Sequence, residues 1–446
     1  MKISNRREPF ILFVGDIFFF IASLWLMLFL RAGGIPEKTL FLSHIYAFSL
    51  IFAVSVLIFF IAGLYEKHTV ILKSRLPHII FRAELINSVI AVLFFYFVPY
   101  FGISPKVNLF IYVAISFILI IIWRVNLASF FITKKPERAI LIGSGKEMEE
   151  LFEEVNKNIH YGLFFVKSID LEDVSPINFE NDIMKMVEDE NVSLLVIDLE
   201  HDKVRPILSK LYYLIFFKVH FISMYKVYED VFKRVPFSIL HYDWFLENIS
   251  ASPKAFYDIL KRITDIALSI IGGTLSLVVY PFVFMAIKFE DNGPVFIVQE
   301  RIGKGGKKIK ILKFRSMKSN DSGVWPTEND ERITVVGKFL RKSRIDELPQ
   351  FWNVLKGDVS LIGPRPDIYA LGIELSATIP YYTVRNTIKP GLSGWAQVSQ
   401  ELPPHTLEET KIRLAYDIYY VKNRSFVLDV KIILKTIRTL LSRSGK

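Results

Sequence analysis

Residues 266–286 read IALSIIGGTLSLVVYPFVFMA, an apolar run long enough for one membrane-crossing helix. Pro281 would bend or break such a helix, and the Gly272-Gly273 pair weakens its first half. Basic residues precede and follow the run, namely Lys254, Lys261, Arg262 and Lys288. Because basic flanks stay on the cytoplasmic side, we predict a re-entrant helix with its break at Pro281, and a spanning helix is the alternative.

The first third of the chain contains four further apolar runs, each close to the length that spans a bilayer. They are residues 10–30, 42–64, 85–101 and 107–123. Lysine and arginine are concentrated before the first run, between the second and third, and after the fourth, so both ends should face the cytoplasm. We predict a four-helix transmembrane bundle over residues 1–135. Asp16, inside the first run, is either hydrated near the interface or a functional carboxylate.

Residues 136–250 have the pattern of a soluble α/β domain. Short apolar segments alternate with helical ones, which predicts a small parallel sheet of the Rossmann-like kind. The strands are expected at residues 139–142, 163–166, 194–197 and 219–222. Gly143 and Gly145 begin a glycine fingerprint, but Met148 stands at its third glycine and the second strand lacks an acidic end. We predict a domain without a cofactor, and dinucleotide binding is the alternative.

Composition narrows the class of partner. The 446 residues carry a net charge of +10 and a pI of about 9.3, which favours lipid head groups or nucleotides. No basic stripe of the kind that binds nucleic acid stands out, so we expect no nucleic-acid partner. The absence of cysteine excludes disulfides and thiolate metal sites.

Six short motifs follow the re-entrant run. They are QERIG at 299–303, KFRSM at 313–317, RKSRIDELPQ at 341–350, NVLKGD at 353–358, GPRP at 363–366 and GWAQV at 394–398. The series resembles the polyprenyl-phosphate phosphoglycosyl transferases of the bacterial sugar transferase family. The bundle and middle domain resemble its large members, which initiate exopolysaccharide or O-antigen units. One departure is Tyr280 before Pro281, where the family often has serine.

Two adjacent carboxylates, Asp346 and Glu347, lie in a basic setting. That setting is made by Arg341, Lys342 and Arg344. Pro349 fits only the first turn of a helix, so Asp346 is expected at or near the N-terminus of a helix that stops at Gly357. There the helix dipole favours an ionised carboxylate and an incoming phosphate. A simple N-cap is the alternative.

Other basic residues are candidates for phosphate contact. Arg365 lies between Pro364 and Pro366, whose rings make the backbone rigid and suited to holding a guanidinium against a diphosphate. Lys313 and Arg315 alternate with apolar residues, which predicts one shared face of a strand. A surface turn and a solvated strand edge are the alternatives.

The C-terminal segment has structural as well as functional interpretations. Asp417 and Asp429 lie in expected helices, where structural salt bridges are the alternative to a role in the site. Residues 426–441 form a basic amphipathic stretch, suited either to the membrane interface or to packing on the catalytic core. Trp395 is a candidate interfacial anchor.

The resemblance implies a fold and a reaction. The fold is a membrane protein of mixed α and α/β class, in which residues 254–446 form an α-rich cytoplasmic catalytic domain with its re-entrant helix at about 264–288. The reaction transfers a sugar 1-phosphate from a UDP-sugar to polyprenyl (undecaprenyl) phosphate and releases UMP. It proceeds through a phosphosugar intermediate on Asp346.

The resemblance also implies the site and its surroundings. Asp346 and Glu347 are the implied ligands of Mg²⁺, with Mn²⁺ as a substitute. The implied phosphate ligands are Lys313, Arg315, Arg341 and Arg365. The enzyme is expected in the bacterial inner membrane with its catalytic domain cytoplasmic, in contact with membrane lipid, and a homodimer is permitted.

Three other functions stay open at this point. The first is a direct, metal-dependent transfer without a covalent intermediate. Alternatively the chain is a membrane-anchored regulator, against which the intact Asp346–Glu347 pair and Arg365 count. The third is that the middle domain acts as an oxidoreductase on nucleotide sugars. The incomplete glycine fingerprint counts against this function.

The flanking charges predict that residues 136–262 and 288–446 lie on the same, cytoplasmic side. Because the chain has no cysteine, single cysteines at Ser252 and Ser319 can be probed in intact cells with a membrane-impermeant thiol reagent. Neither should react from outside. Labelling at one position and not the other would show that the segment between them spans the membrane.

Overall fold

The computed structural model describes residues 7–65, 76–98, 105–127, 136–158, 161–172, 183, 185–187, 189–204, 208–217, 219–249, 254–318, 332–400 and 404–442. The chain divides into two compact units, Met1–Val231 and Phe232–Lys446. The end of the third apolar run, residue 250 and the labelling positions Ser252 and Ser319 lie outside the described residues. The domain limits drawn from the sequence therefore stay predictions.

Four long apolar helices begin the first unit. They are α1 (Arg7–Ala32), α2 (Lys38–Ile61), α3 (Leu76–Phe97) and α4 (Pro105–Ile121), which continues as a π-helical stretch at Ile122–Leu127. Each of the four is long and apolar enough to cross a membrane, which confirms the predicted set of four apolar helices. Aromatic rings fill their shared core, where Phe48 lies 5.0 Å from Tyr112 and 5.3 Å from Phe95 between ring centroids.

A buried ion pair joins α1 to the stretch that follows α4. Arg124 donates to Asp16 from Nε at 3.0 Å and from Nη2 at 2.5 Å, and the Tyr65 hydroxyl donates to Asp16 at 2.6 Å. Asp16 has no exposed surface, so the expectation that it is hydrated near the interface is wrong. A carboxylate removed from water needs a charged partner, and Arg124 supplies it across the bundle.

Breaking this pair on one side should destabilise the bundle strongly. Arg124→Leu leaves the Asp16 carboxylate buried without its cation, which costs about 3–5 kcal/mol in the free energy of unfolding. The double variant Asp16→Leu/Arg124→Leu should recover most of that loss. Thermal unfolding in detergent measures both, and equal losses in the single and double variants would contradict this account.

The rest of the first unit is an α/β domain with a parallel sheet. Its strands are β1 (Glu137–Gly143), β2 (Leu163–Asp170), β3 (Leu194–Ile197) and β4 (His220–Ser223), in the order β2-β1-β3-β4. Its helices are α5 (Gly145–Lys157), α6 (Leu208–Leu211, followed by a 3-10 stretch at Tyr212–Phe217) and α7 (Met224–Phe232). All four predicted strands are confirmed.

Two details of this domain bear on the cofactor alternative. The second strand continues to Asp170, so the expectation that it lacks an acidic end is wrong. Gly143 has a packing reason for lacking a side chain, because a Cβ there would lie 2.6 Å from the Met224 sulfur. The first glycine of the fingerprint is thus explained without a bound dinucleotide.

The second unit is mainly helical. Its helices are α8 (Tyr242–Asn248), α9 (Ala255–Leu277), α10 (Tyr280–Asp291), α11 (Val335–Ser343), α12 (Gln350–Lys356), α13 (Tyr369–Thr378), α14 (Trp395–Ser399), α15 (Leu407–Asn423) and α16 (Phe426–Ser442). Its strands are β5 (Phe296–Ile302), β6 (Lys308–Phe314), β7 (Ser360–Ile362) and β8 (Gly391–Ser393). β5 and β6 form an antiparallel hairpin, and β7 and β8 pair in parallel.

The apolar run of this unit is bent. α9 and α10 together pass the length and hydropathy test for a membrane span, with an angle of 51° between them. Pro281 lies in the first turn of α10, where its missing amide proton ends the hydrogen-bond ladder of α9. The helix break is therefore where the sequence predicts it. Re-entry by the same membrane face stays a prediction.

α12 packs against the first half of this bent pair. Arg262 donates to the carbonyls of Val354 at 2.7 Å and Leu355 at 2.8 Å, which satisfies two groups at the C-terminus of α12. A Cβ at Gly272 would lie 2.8 Å from the Phe351 ring, so the glycine permits close approach. The apolar helix thereby supports the short helix that follows the two carboxylates.

The C-terminal helix α16 packs on the core of this unit. Ile432 is fully buried, and Asp429 accepts from Lys261 at 2.9 Å and from the Tyr257 hydroxyl at 2.8 Å, which confirms the salt-bridge interpretation. Trp395 is only 3% exposed and its Nε1 donates to the Lys233 carbonyl. Its interpretation as an interfacial anchor is therefore wrong.

Candidate active site

Asp346 and Glu347 lie in a tight turn between two helices. α11 ends at Arg344, whose φ of 56° is left-handed, and residues Ile345–Glu347 form a single 3-10 turn. α12 then begins after Pro349 and ends at Gly357, which has a φ of 93° and is the predicted stop. No side chain caps α12, so the N-cap alternative for Asp346 is wrong.

Glu347 forms ion pairs with cationic side chains from three different segments. Arg365 Nη2 donates to its Oε1 at 2.6 Å, and Lys313 Nζ lies 3.6 Å from the same oxygen. Arg344 Nη1 lies 3.9 Å from Oε2. Lys313 comes from β6, Arg344 from the end of α11, and Arg365 from the proline-flanked turn after β7. One carboxylate thus gathers predicted phosphate ligands that are far apart in sequence.

Asp346 has a different environment from its neighbour. Its side chain is 7% exposed, and its buried Oδ1 accepts no hydrogen bond from any described residue. Buried carboxylate oxygens are nearly always hydrogen-bonded, so an open one leaves room for a water, a ligand or a reacting atom. Of the two carboxylates, Asp346 is the one with a buried oxygen that no described residue satisfies.

The charges around the pair act on the two carboxyl groups in opposite ways. Burial, followed by the charge of Glu347, raises the pKa of Asp346 to about 6 against the opposing cations. Burial also acts to raise the pKa of Glu347, but Arg365 and Lys313 outweigh it and hold that pKa well below its usual range. Burial therefore raises the pKa of Asp346 despite the helix dipole, but the carboxylate still predominates at pH 7, which agrees with the expectation that it is ionised.

Lys313 is a buried ammonium. Burial lowers its pKa to about 8, and the charge of Glu347 works against that effect. The Lys313 ammonium therefore remains mostly protonated at neutral pH, and its positive charge is available to bind a phosphate. Its side chain is 15% exposed, so its charge is screened less than a surface charge, whereas the Arg365 side chain is 31% exposed.

Two predicted phosphate ligands, Arg315 and Arg341, make no ion pair with Glu347. Arg315 follows the last residue of β6, and its guanidinium forms an ion pair with Asp291 and lies against Gly293. Arg341, in the last turn of α11, acts on Asp346 through its charge, which lowers the pKa of that carboxyl. Phosphate contact by either residue stays a prediction.

A second buried charge network was not foreseen from the sequence. Arg385 forms ion pairs with Asp367 and with Asp417, whose carboxylate lies 2.8 Å from Arg385 Nη2. Arg413 Nη2 lies 3.0 Å from Asp367, and the Tyr382 hydroxyl donates to Asp367 at 2.8 Å. The salt-bridge interpretation of Asp417 is confirmed. A further sequence signal for this network is Asp367, which directly follows the GPRP motif.

Two adjacent carboxylates are available to a metal ion. Among the described residues no group of three or more His, Asp or Glu side chains could hold a metal ion. Asp346 and Glu347 offer two carboxylates, one of them with an open oxygen. That set suits Mg²⁺, which usually takes one or two carboxylates and completes its shell with water and substrate phosphates.

Comparisons with known proteins identify the family of this second unit. The bacterial sugar transferase family matches residues 256–443. A UDP-glucose:undecaprenyl-phosphate glucose-1-phosphate transferase of Caulobacter vibrioides is 39% identical over 194 residues, which are 43% of this chain and 73% of that protein. The chain belongs to the bacterial sugar transferase family.

Two longer relatives match about half of this chain. A UDP-N-acetylgalactosamine-undecaprenyl-phosphate N-acetylgalactosaminephosphotransferase of Aeromonas hydrophila is 42% identical over 49% of this chain and 52% of that protein. A UDP-glucose:undecaprenyl-phosphate glucose-1-phosphate transferase of Escherichia coli is 40% identical over 47% of each. The match thus spans about half the length of these two bacterial sugar transferases.

The pKa of Asp346 predicts the acid side of the pH profile. If the ionised carboxylate is the reactive form, kcat/KM should fall about tenfold per pH unit below about pH 6. Arg341→Gln removes a charge that lowers this pKa, so it should move the acid limb to higher pH. Lys342→Gln, which changes an exposed neighbouring charge, is the control and should leave the limb in place. An unmoved limb in Arg341→Gln would count against this assignment.

Proposed function

We propose that this chain transfers a sugar 1-phosphate from a UDP-sugar to undecaprenyl phosphate and so initiates a polysaccharide or O-antigen unit. The relatives in its family carry names of this reaction type with different sugars. The observation that carries the proposal is the paired site. Glu347 holds Arg365 and Lys313, and next to it Asp346 presents an open oxygen.

The reaction is proposed to run in two steps. An Asp346 oxygen attacks the phosphorus that bears the sugar, the bond from that phosphorus to the bridging oxygen breaks, and UMP leaves with the electron pair. A phosphate oxygen of undecaprenyl phosphate then attacks the same phosphorus and restores the carboxylate. Carboxylates are established nucleophiles for covalent intermediates of this kind. Arg365 and Lys313 would neutralise the diphosphate as charge develops.

Mg²⁺, with Mn²⁺ as a substitute, is proposed to join the pair and the diphosphate. Bound there, it would withdraw charge from the phosphate oxygens. Asp346 Oδ1 is the open protein ligand, while Glu347 is already engaged with cations. Glu347 would therefore serve mainly to position the metal, Arg365 and Lys313.

The bent apolar pair is proposed to bring this site to the lipid substrate. α9 and α10 expose large apolar side chains, including Phe256, Ile271, Phe282 and Phe289. An exposed surface of that kind in a membrane protein suits contact with lipid. A dip from the cytoplasmic face of the bacterial inner membrane would keep the attached site at the interface, where the UDP-sugar and the lipid phosphate meet.

Asp346→Asn tests the covalent step. It keeps the size of the side chain but removes the negative charge, so the variant should fold normally and lose at least about a thousandfold in turnover. With UDP-sugar and no lipid, the wild type should release at most one equivalent of UMP and carry a sugar phosphate on Asp346, detected by intact mass after an acid quench. Glu347→Gln is the matched variant, which should be impaired and still able to form the adduct.

The direct mechanism predicts a different pattern. If UMP release strictly requires undecaprenyl phosphate and initial-rate lines intersect, the lipid attacks without an intermediate. Asp346 would then be a metal ligand or a general base. Parallel initial-rate lines and lipid-independent UMP release agree with the covalent proposal.

A further inference from the structure

The turn that carries Arg365, residues 364–367, is held in place by hydrogen bonds to its backbone carbonyl groups. Pro364 and Pro366 cannot donate amide protons, so the turn is anchored through its acceptors. Each of its four carbonyls accepts from a different residue: Pro364 from Gly391 N at 3.0 Å, Arg365 from Arg385 Nη2 at 2.7 Å, Pro366 from Arg301 Nη1 at 2.9 Å, and Asp367 from Ile302 N at 3.0 Å.

Two of these donors are side chains, and Arg385 is the more deeply buried. It is 2% exposed, its Nε donates to Asp417 Oδ2 at 2.9 Å, and it also pairs with Asp367. Carboxylates on two sides leave the guanidinium one orientation, because each contact uses a different edge of the planar group. The Arg385 guanidinium that donates to the Arg365 carbonyl is therefore held in a fixed position.

Arg301 ties the same turn to the hairpin that carries Lys313. Its Nε donates to Gln299 at 3.0 Å while Nη1 donates to Pro366. Arg301 lies on β5, which pairs with β6, the strand of Lys313. Two of the three cations around Glu347, Lys313 and Arg365, are thus connected through one guanidinium on the neighbouring strand.

We propose that Arg385 and Arg301 are positioning residues that set the place of the Arg365 guanidinium for the diphosphate of the donor. The inference rests on the proposed function and deepens it. Productive phosphate contacts require placement to within about half an ångström, and a turn in which two of four residues lack an amide proton has fewer backbone hydrogen bonds to supply it. Arg385 and Arg301 then act through Arg365, so their effect depends on the Arg365 side chain.

A double-mutant cycle on ligand affinity tests this dependence. The full chain in detergent is titrated calorimetrically with UMP and Mg²⁺, for the wild type, Arg385→Lys, Arg365→Gln and the double variant. Arg385→Lys should weaken UMP about tenfold, because one ammonium cannot make all three contacts. In the Arg365→Gln background the same change should add less than about twofold. Additive losses would overturn the proposal.

A second variant and a control complete the test. Arg301→Lys, on a less buried residue, should show the same dependence on Arg365 and decides the matter if Arg385→Lys fails to fold. Lys261→Gln disturbs a buried ion pair that contacts no part of this turn, so it should lower the unfolding temperature without changing UMP affinity. If the wild type turns over and the losses in the variants are additive, this inference alone is overturned. A folded wild type that neither binds UMP nor turns over would overturn the proposed function as well.

Discussion

The catalytic unit depends on one anion, Glu347. Its carboxylate draws Lys313, Arg344 and Arg365 to a single point, with the closest contact at 2.6 Å. Without that anion the three cations would repel one another, most strongly at the buried Lys313, where charge is screened least. With it they form a cluster of positive charge around one carboxylate, and the proposed function uses that cluster to bind the diphosphate.

The same arrangement explains why two adjacent carboxylates behave differently. Glu347 accepts the cations and stays ionised, whereas Asp346 is buried beside it with an oxygen that no described residue satisfies. Their environments push the two pKa values apart, which is the usual sign of divided roles in an active site. A raised pKa that still leaves Asp346 largely ionised at neutral pH is compatible with the nucleophile role proposed for it.

Much of the fold was predictable because it follows from local patterns. The length of the apolar runs predicted α1 to α4, and alternation of short strands predicted the parallel sheet. Gly357 predicted the end of α12, and Pro281 predicted the bend after α9. Each of these signals acts over a few residues, so it is visible in the sequence.

The buried ion pairs were not predictable by that route. Arg124 and Asp16 are 108 residues apart, and Arg385 reaches Asp367 and Asp417 over 18 and 32 residues. No local pattern connects such partners, because folding alone brings them together. The burial that raises the pKa of Asp346 is likewise a tertiary effect, and it outweighed the helix-dipole argument made from Pro349.

The effect of Glu347 on its neighbour can be measured directly as the pKa of the Asp346 carboxyl group. That pKa is obtained by ¹³C NMR titration of the wild type and of Glu347→Gln. The account predicts a pKa near 6 in the wild type and a lower value in the variant, because a like charge is removed and Lys313 and Arg365 are released to act on Asp346. A pKa that stays the same or rises in Glu347→Gln would contradict the account.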